Sequence, residues 1–239
     1  MINKELGTYI GVVSYKRPHN VKKLHEVLGT DQVTWYVRPE EEKLYQDQGA
    51  ITKSVVYKTL GDKRNKVLQD GKNQDTIFMD DDIDRFRYAI DKKRELPATF
   101  KSVVEEMKYR LNETPNVKLC GVNSIARPFF FDPLRPISLT NFCVGTICLV
   151  RKGSDILHDT QFKMKEDYDF TLQHIKRYGG ALRLNYVMVR AGHWNNKGGQ
   201  TEIRTDEIMD SDIKKLRVKW GRSVRLNPKR PHEILLSVK

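Results

Sequence analysis

The 239-residue chain carries 43 Lys and Arg against 31 Asp and Glu, a formal charge of +12, with 38% hydrophobic residues and nine Phe. That length and apolar content suit one large domain, or one domain with an appendage, and exclude wholesale disorder. No apolar run approaches the roughly 18 residues of a membrane-spanning helix. The opening residues MINKELGTYIGVVSYKR lack a signal-peptide layout, and Cys120, Cys143 and Cys148 show no metal-ligand spacing, so a reduced cytoplasmic protein is expected.

In chain order, TYIGVVS (8–14) reads as a buried strand, and NVKKLHEVL (20–28) places Val21, Leu24, Val27 and Leu28 at helical spacing. VTWYV (33–37) predicts a second strand, EEEKLYQDQ (40–48) a short acidic helix and SVVY (54–57) a third strand. DKRNKVLQDG (62–71) predicts a helix stopped by Gly71, and TIFMD (76–80) a fourth strand without alternation, as expected of a central parallel strand. This strand–helix succession is the signature of βαβ units, a Rossmann-type α/β sheet with helices on both faces.

The pattern then changes. Residues 98–111 predict an amphipathic helix, 117–122 and 143–152 strands, 163–180 a helix closed by Gly179-Gly180, and 181–194 a strand running toward His193. The Pro- and Phe-rich stretch 123–138 reads as loop or irregular hairpin, with Phe129-Phe130-Phe131 in core or loop packing, and NNKGGQ (195–200) as a flexible loop. From residue 214 onward nine Lys and Arg face the single acid Glu233, a net of +8, while the remaining 213 residues carry only +4. Such a segment suits a polyanion such as nucleic acid; the plainer reading is a solvated basic extension.

The most informative stretch is TIFMDDDID (76–84). Asp80, Asp81, Asp82 and Asp84 repel one another directly after a buried strand, at the carboxyl edge where α/β sheets place their ligands. Paired carboxylates there offer hard oxygens to Mn2+ or Mg2+, whose shells are completed by waters and substrate phosphates. An EF-hand is excluded, because Arg85 follows Asp84 and position 91 is Asp rather than Glu. No phosphate-binding GxxxxGK[ST] loop occurs. A two-metal nuclease of the Toprim kind would want Glu-Gly after the first strand, where Ser14-Tyr15-Lys16-Arg17 stands. A cluster that merely starts a helix is the remaining alternative.

VVSYKRP after the first strand, DKRNKVL on the third helix, IFMDDD after the fourth strand, and KEDYDFTLQHIKRYG followed by GHW resemble, in that order over residues 8–195, the GT-A fold glycosyltransferases, which use nucleotide sugars and a DxD-bound metal. The resemblance implies a GT-A catalytic domain over 1–200, with a nucleotide-sugar half (1–125) and an acceptor half (126–200), followed by a basic helical extension (201–239). It implies that Ser14, Tyr15, Arg17, Arg64, Asn65, Asp80 and Asp81 meet a UDP-sugar, and that Asp82, Asp80 and His193 hold Mn2+ or Mg2+. Asp167, with Glu166 as second choice, takes the place of the base that deprotonates the acceptor. Carboxylates at a helix start also serve simply by facing the dipole. The chain lacks the QxxRW-type motif of processive members, and its basic end is not a family feature.

Compact size, DDDID, HWNNKGG and the basic end are similar, more loosely, to the phage enzymes of the TET/JBP-associated type that glycosylate hydroxymethylated pyrimidines, hydroxymethylcytosine among them, in DNA. That branch would place the protein in the host cytoplasm of a bacteriophage, with no obligate protein partner. Lys214, Lys215, Arg217, Lys219, Arg222, Arg225 and Lys197 would then contact phosphates, and Trp194 would stack on an extruded base. Two other classes compete: a GT-A enzyme acting on a protein, lipid-linked or glycan acceptor, and a metal nuclease or non-catalytic nucleic-acid-binding protein.

Overall fold

The computed structural model describes residues 2–123, 125–192 and 204–238. Its first strands, β1 (Ile2–Asn3) and β2 (Thr8–Val13), are followed by helix α1 (Asn20–Leu28), β3 (Thr34–Val37), α2 (Glu42–Gln46), β4 (Ile51–Ser54), α3 (Leu60–Asp70) and β5 (Thr76–Asp80). β4, β3, β2 and β5 lie side by side, all parallel. Both faces of β2 and β5 are covered. Ile10, Val12, Ile77 and Met79 join a core with α1 and with α4 (Phe100–Glu113), while Tyr9, Val13 and Phe78 join a second core with Val67 and Leu68 of α3. Burial on both sides is why these strands show no polar alternation. Gly11 permits the closeness of α3, since a Cβ there would lie 2.3 Å from Val67 Cγ1.

The second half is mixed. β6 (Ile83–Ala89) and β7 (Glu95–Ala98) precede α4, and β8 (Leu119–Asn123), β9 (Ile137–Ser138) and β10 (Ile147–Val150) follow it. Next come α5 (Glu166–Tyr178) and β11 (Leu182–Ala191). β10 sits antiparallel between β5 and β8, β11 runs parallel to β8, and β6 and β7 close the far edge antiparallel. β5 and β8 therefore end at one sheet edge, where the chain leaves Asp80 and Asn123.

Several expectations shift. The third strand is residues 51–54, not 54–57, because register with β3 selects it; as an exposed edge strand it needs no apolar pattern. α3 begins earlier, capped by Thr59, whose side chain accepts from the Asp62 N–H while the Asp62 side chain accepts from the Thr59 N–H. β6 had no strand signal because it buries Ile83, Phe86 and Ala89, a three-residue spacing. Within 123–138 the Phe run divides: Phe131 is buried with Ala89 and Met188, whereas Phe129 and Phe130 are exposed.

The basic end is more than a helical tail. After α6 (Asp206–Trp220) come two short paired strands, β12 (Val224–Leu226) and β13 (Ile234–Leu236). Ile213, Leu216, Val224 and Ile234 share a core with Phe162, Tyr168 and Leu172, so this segment packs directly on the start of α5. Asp212, itself buried, accepts the N–H groups of Lys163 and Met164 at 2.7 Å each and so shapes the turn leading into α5.

Candidate active site

At the carboxyl edge of β5 the aspartates are neutralised by two arginines from other elements. Arg17, in the turn after β2, places Nη1 3.0 Å from Asp81 and 3.3 Å from Asp82, with all three side chains buried. A relay supports this pair. The Arg17 N–H donates to the Tyr45 hydroxyl at 2.9 Å, Tyr45 and the Ser14 hydroxyl lie 2.6 Å apart, and Ser14 donates to Asp81. Burial outweighs those favourable contacts and pushes the Asp81 carboxyl up to about 6. Asp84 stands apart, on the surface, bridged to Lys23.

Arg64 of α3 joins the donor side to the acceptor side. Its guanidinium reaches Asp80 at 3.0 Å, Glu166 at 2.7 Å and the Gly145 carbonyl at 3.0 Å. A Cβ at Gly145 would overlap that guanidinium at 2.3 Å, so a glycine is required where the fork passes. Asp167 lies beside it, accepting from the Gly145 N–H at 3.4 Å and from the Tyr168 N–H at 2.9 Å. Burial raises both neighbouring carboxyls, and the charge of Asp167 raises Glu166 further. Their elevation suits a proton acceptor working near neutrality.

Lys63, beside Arg64, is the principal residue that sequence reasoning missed. It is fully buried, donates to the Ser14 carbonyl, and lies 3.9 Å from the Tyr57 ring centroid. Burial pushes its ammonium down to about 7, against the attraction of Asp81 and Glu41. Arg38 at the end of β3 lies over both Tyr15 and Tyr57, at 4.8 and 4.9 Å. Tyr15, Arg38, Tyr57 and Lys63 thus form one cationic–aromatic wall beside Ser14. The density of charge in Asp62-Lys63-Arg64 was the available signal, but nothing in it distinguishes the buried cation from an exposed one.

The expected site residues separate into three groups. Ser14, Arg17, Arg64, Asp80, Asp81, Asp82, Glu166 and Asp167 come together at this edge, and Tyr15 flanks it. Asn65 does not present its amide to the cleft: it accepts from the His158 N–H at 2.7 Å and donates to the His158 carbonyl at 2.8 Å, clamping a loop. His193, Trp194 and Lys197 lie outside the described residues, although the Gly192 N–H binds the Asp82 carbonyl at 3.0 Å. On the basic segment, Lys214, Arg217, Arg222 and Arg225 are exposed. Lys219 instead pairs with Asp159 and Asp169 at 2.8 Å, and Lys215 with Asp212 at 3.2 Å, so those two cations are partly spent within the fold.

No family model matches the chain, and no curated protein matches it in sequence. Solved structures do match in shape. Glucosyl-3-phosphoglycerate synthase from Mycobacterium tuberculosis, in complex with Mg2+ and UDP, aligns at 11% identity with a TM-score of 0.55, over 92% of this chain and 82% of that one. The same enzyme in complex with phosphoglyceric acid gives 0.56 over the same shares. TarS residues 1–349 from S. aureus align at 13% identity and 0.49, over 93% and 76%. At such identities the likeness is one of architecture: the chain has the mixed α/β, GT-A-type fold.

Proposed function

We propose that the chain transfers a sugar from a UDP-sugar to a hydroxyl acceptor with the help of a divalent cation. One observation carries the reading: Arg64 holds Asp80 at the end of β5 and Glu166 at the start of α5 on a single guanidinium, with Asp167 beside them on the Gly145 N–H. A donor diphosphate and an acceptor hydroxyl would have to meet at that junction. The glucosyl-3-phosphoglycerate synthase complexes with Mn2+, UDP-glucose and phosphoglyceric acid lend support by shape.

The donor set fits Mn2+ or Mg2+. Asp80 and Asp82 are hard oxygen donors, and among the described residues no three His, Cys, Asp or Glu converge into a cage. That suits an ion held by one or two carboxylates plus substrate phosphates. When bound, the ion would neutralise charge building on the departing diphosphate. The chain's own part is then specific. Arg17 and Arg64 place positive charge beside the aspartates before any donor arrives, the Tyr15–Arg38–Tyr57–Lys63 wall bounds the nucleotide side, and Asp167 takes the acceptor proton on its carboxylate oxygen. Glu166, spent on Arg64, orients rather than reacts.

For the acceptor, the exposed cations Lys214, Arg217, Arg222 and Arg225 favour a phosphate-bearing polymer, and DNA containing hydroxymethylated pyrimidines is the first candidate. A second reading, an acceptor borne at a membrane, is favoured by the exposed apolar side chains Phe129, Phe130 and Leu134. The test incubates the protein with Mn2+, a panel of UDP-sugars and DNA containing hydroxymethylcytosine or hydroxymethyluracil, then weighs the nucleosides. A hexose or N-acetylhexosamine increment is the expected result. Metal-dependent UDP binding without any increment would move the acceptor away from DNA; absence of UDP binding would overturn the transferase reading itself.

A further inference from the structure

Residues 125–139, which connect β8 to β10 and include the short β9, expose several large apolar side chains. Phe129 is 69% exposed, Phe130 54% and Leu134 92%, with Ile125 and Ile137 also on the outside. Isolated exposed apolar residues are ordinary, but three large ones within six positions are not. The loop is also well braced. Phe131 is buried against Ala89, Met188 and Tyr186, the Phe131 N–H donates to the Pro128 carbonyl at 2.8 Å, and the Arg135 N–H to the Asp132 carbonyl at 2.9 Å. Phe129 and Phe130 stand edge to face, 5.4 Å apart. Anchored at Phe131, the loop holds its neighbours outward.

Cations surround it. Arg127 and Arg135 lie within the loop, and the β6–β7 turn brings Lys92, Lys93 and Arg94 beside Pro133, where all of them but the two loop arginines line one depression with Asp91. The two acids present are already engaged, Asp91 with Arg94 at 2.7 Å and Asp132 with Arg135 at 3.9 Å. Among the described residues Lys92, Lys93 and Arg127 pair with no carboxylate.

We propose that this loop and the β6–β7 turn seat the protein on an anionic lipid bilayer, Phe129, Phe130 and Leu134 entering the headgroup–acyl boundary while Lys92, Lys93 and Arg127 meet lipid phosphates. Aromatic and aliphatic side chains ringed by cations match that interface, where apolar burial and attraction to anionic headgroups act together. A nucleic acid would use the rings and cations but offers nothing to Leu134 or Ile125. A second copy of this face would bring like charges together. The inference goes beyond sugar transfer and does not depend on it.

The experiment is co-sedimentation of the full chain with vesicles of phosphatidylglycerol and phosphatidylcholine, against phosphatidylcholine alone. Binding to the anionic vesicles is expected, reduced about tenfold or more by the triple substitution Phe129→Ser, Phe130→Ser, Leu134→Ser. Each of Lys92→Gln and Lys93→Gln should reduce it about fivefold at low salt. In Phe130→Trp, brominated lipid should quench the added fluorophore. The thermal midpoint of each variant checks folding, since all these side chains are exposed. No binding to anionic vesicles, binding indifferent to the triple substitution, or an unquenched Trp would each overturn the proposal. So would a single-stranded oligonucleotide or a self-associated dimer that uses the same three side chains in place of lipid.

Discussion

The molecule contains two conspicuous charge clusters, and it treats them in opposite ways. The aspartates after β5 are drawn into the interior, Asp81 and Asp82 buried, and met by Arg17 and Arg64 from distant parts of the chain. The cations from residue 214 onward mostly stay in water, and among the described lysines and arginines there only Lys215 and Lys219 find carboxylates. Burying charge is expensive unless it is paired, so the first cluster demands a network and the second demands nothing. A charge cluster that folding has paired at such expense is a stronger pointer to chemistry than a larger one left solvated.

The contrast can be broken, beginning with the largest effect. Arg64→Met leaves Asp80 and Glu166 without their shared guanidinium, and should destabilise the chain by about 3–5 kcal/mol in chemical denaturation. Adding Glu166→Gln should restore part of that loss; no restoration would mean that the buried pair contributes little. Asp82→Ala should keep the fold, because Arg17 retains Asp81, yet weaken Mn2+-dependent UDP binding about a hundredfold by calorimetry. Unchanged affinity would remove Asp82 from the metal site. Asp212→Ala removes the shared acceptor of the partly buried Lys163 and Met164 N–H groups and should lower stability by about 1–3 kcal/mol, while leaving UDP affinity unaltered.

Lys63 sharpens the comparison through pH. In the fold burial depresses its ammonium to about 7, well below the ordinary value of an exposed lysine, so above neutrality the unfolded chain binds the extra proton. Stability should therefore rise from pH 7 to 9 by about 1.4 kcal/mol per unit for that one group, and be lost as pH falls through about 7. Lys63→Met should flatten the rise in urea midpoints; an unchanged slope would mean that Lys63 stays charged in the fold. The smallest stability effect belongs to the solvated cluster. Neutralising Lys214, Arg217, Arg222 and Arg225 should move stability by less than about 0.5 kcal/mol. If DNA is the acceptor, the same change should reduce the salt dependence of its binding by about 0.9 per lost phosphate contact.

The sequence by itself determined the βαβ succession through β5, because doubly buried strands and amphipathic helices leave strong local patterns: α1 and β5 occupy their expected residues. It also placed the carboxylates at the edge of a sheet and the Glu166-Asp167 pair at a helix start. It left β6 without a signal and displaced β4, since an edge strand and a three-residue burial spacing follow from neighbours rather than from local preference. Only the tertiary structure decided which cations answer which acids. Arg17 and Asp81 are 64 positions apart, and Arg64 and Glu166 are 102. Charge carries no address along the chain. Packing alone turned Lys63 inward, spent Asn65 on a loop, and folded the basic segment onto α5, because each outcome depends on what the other elements leave uncovered.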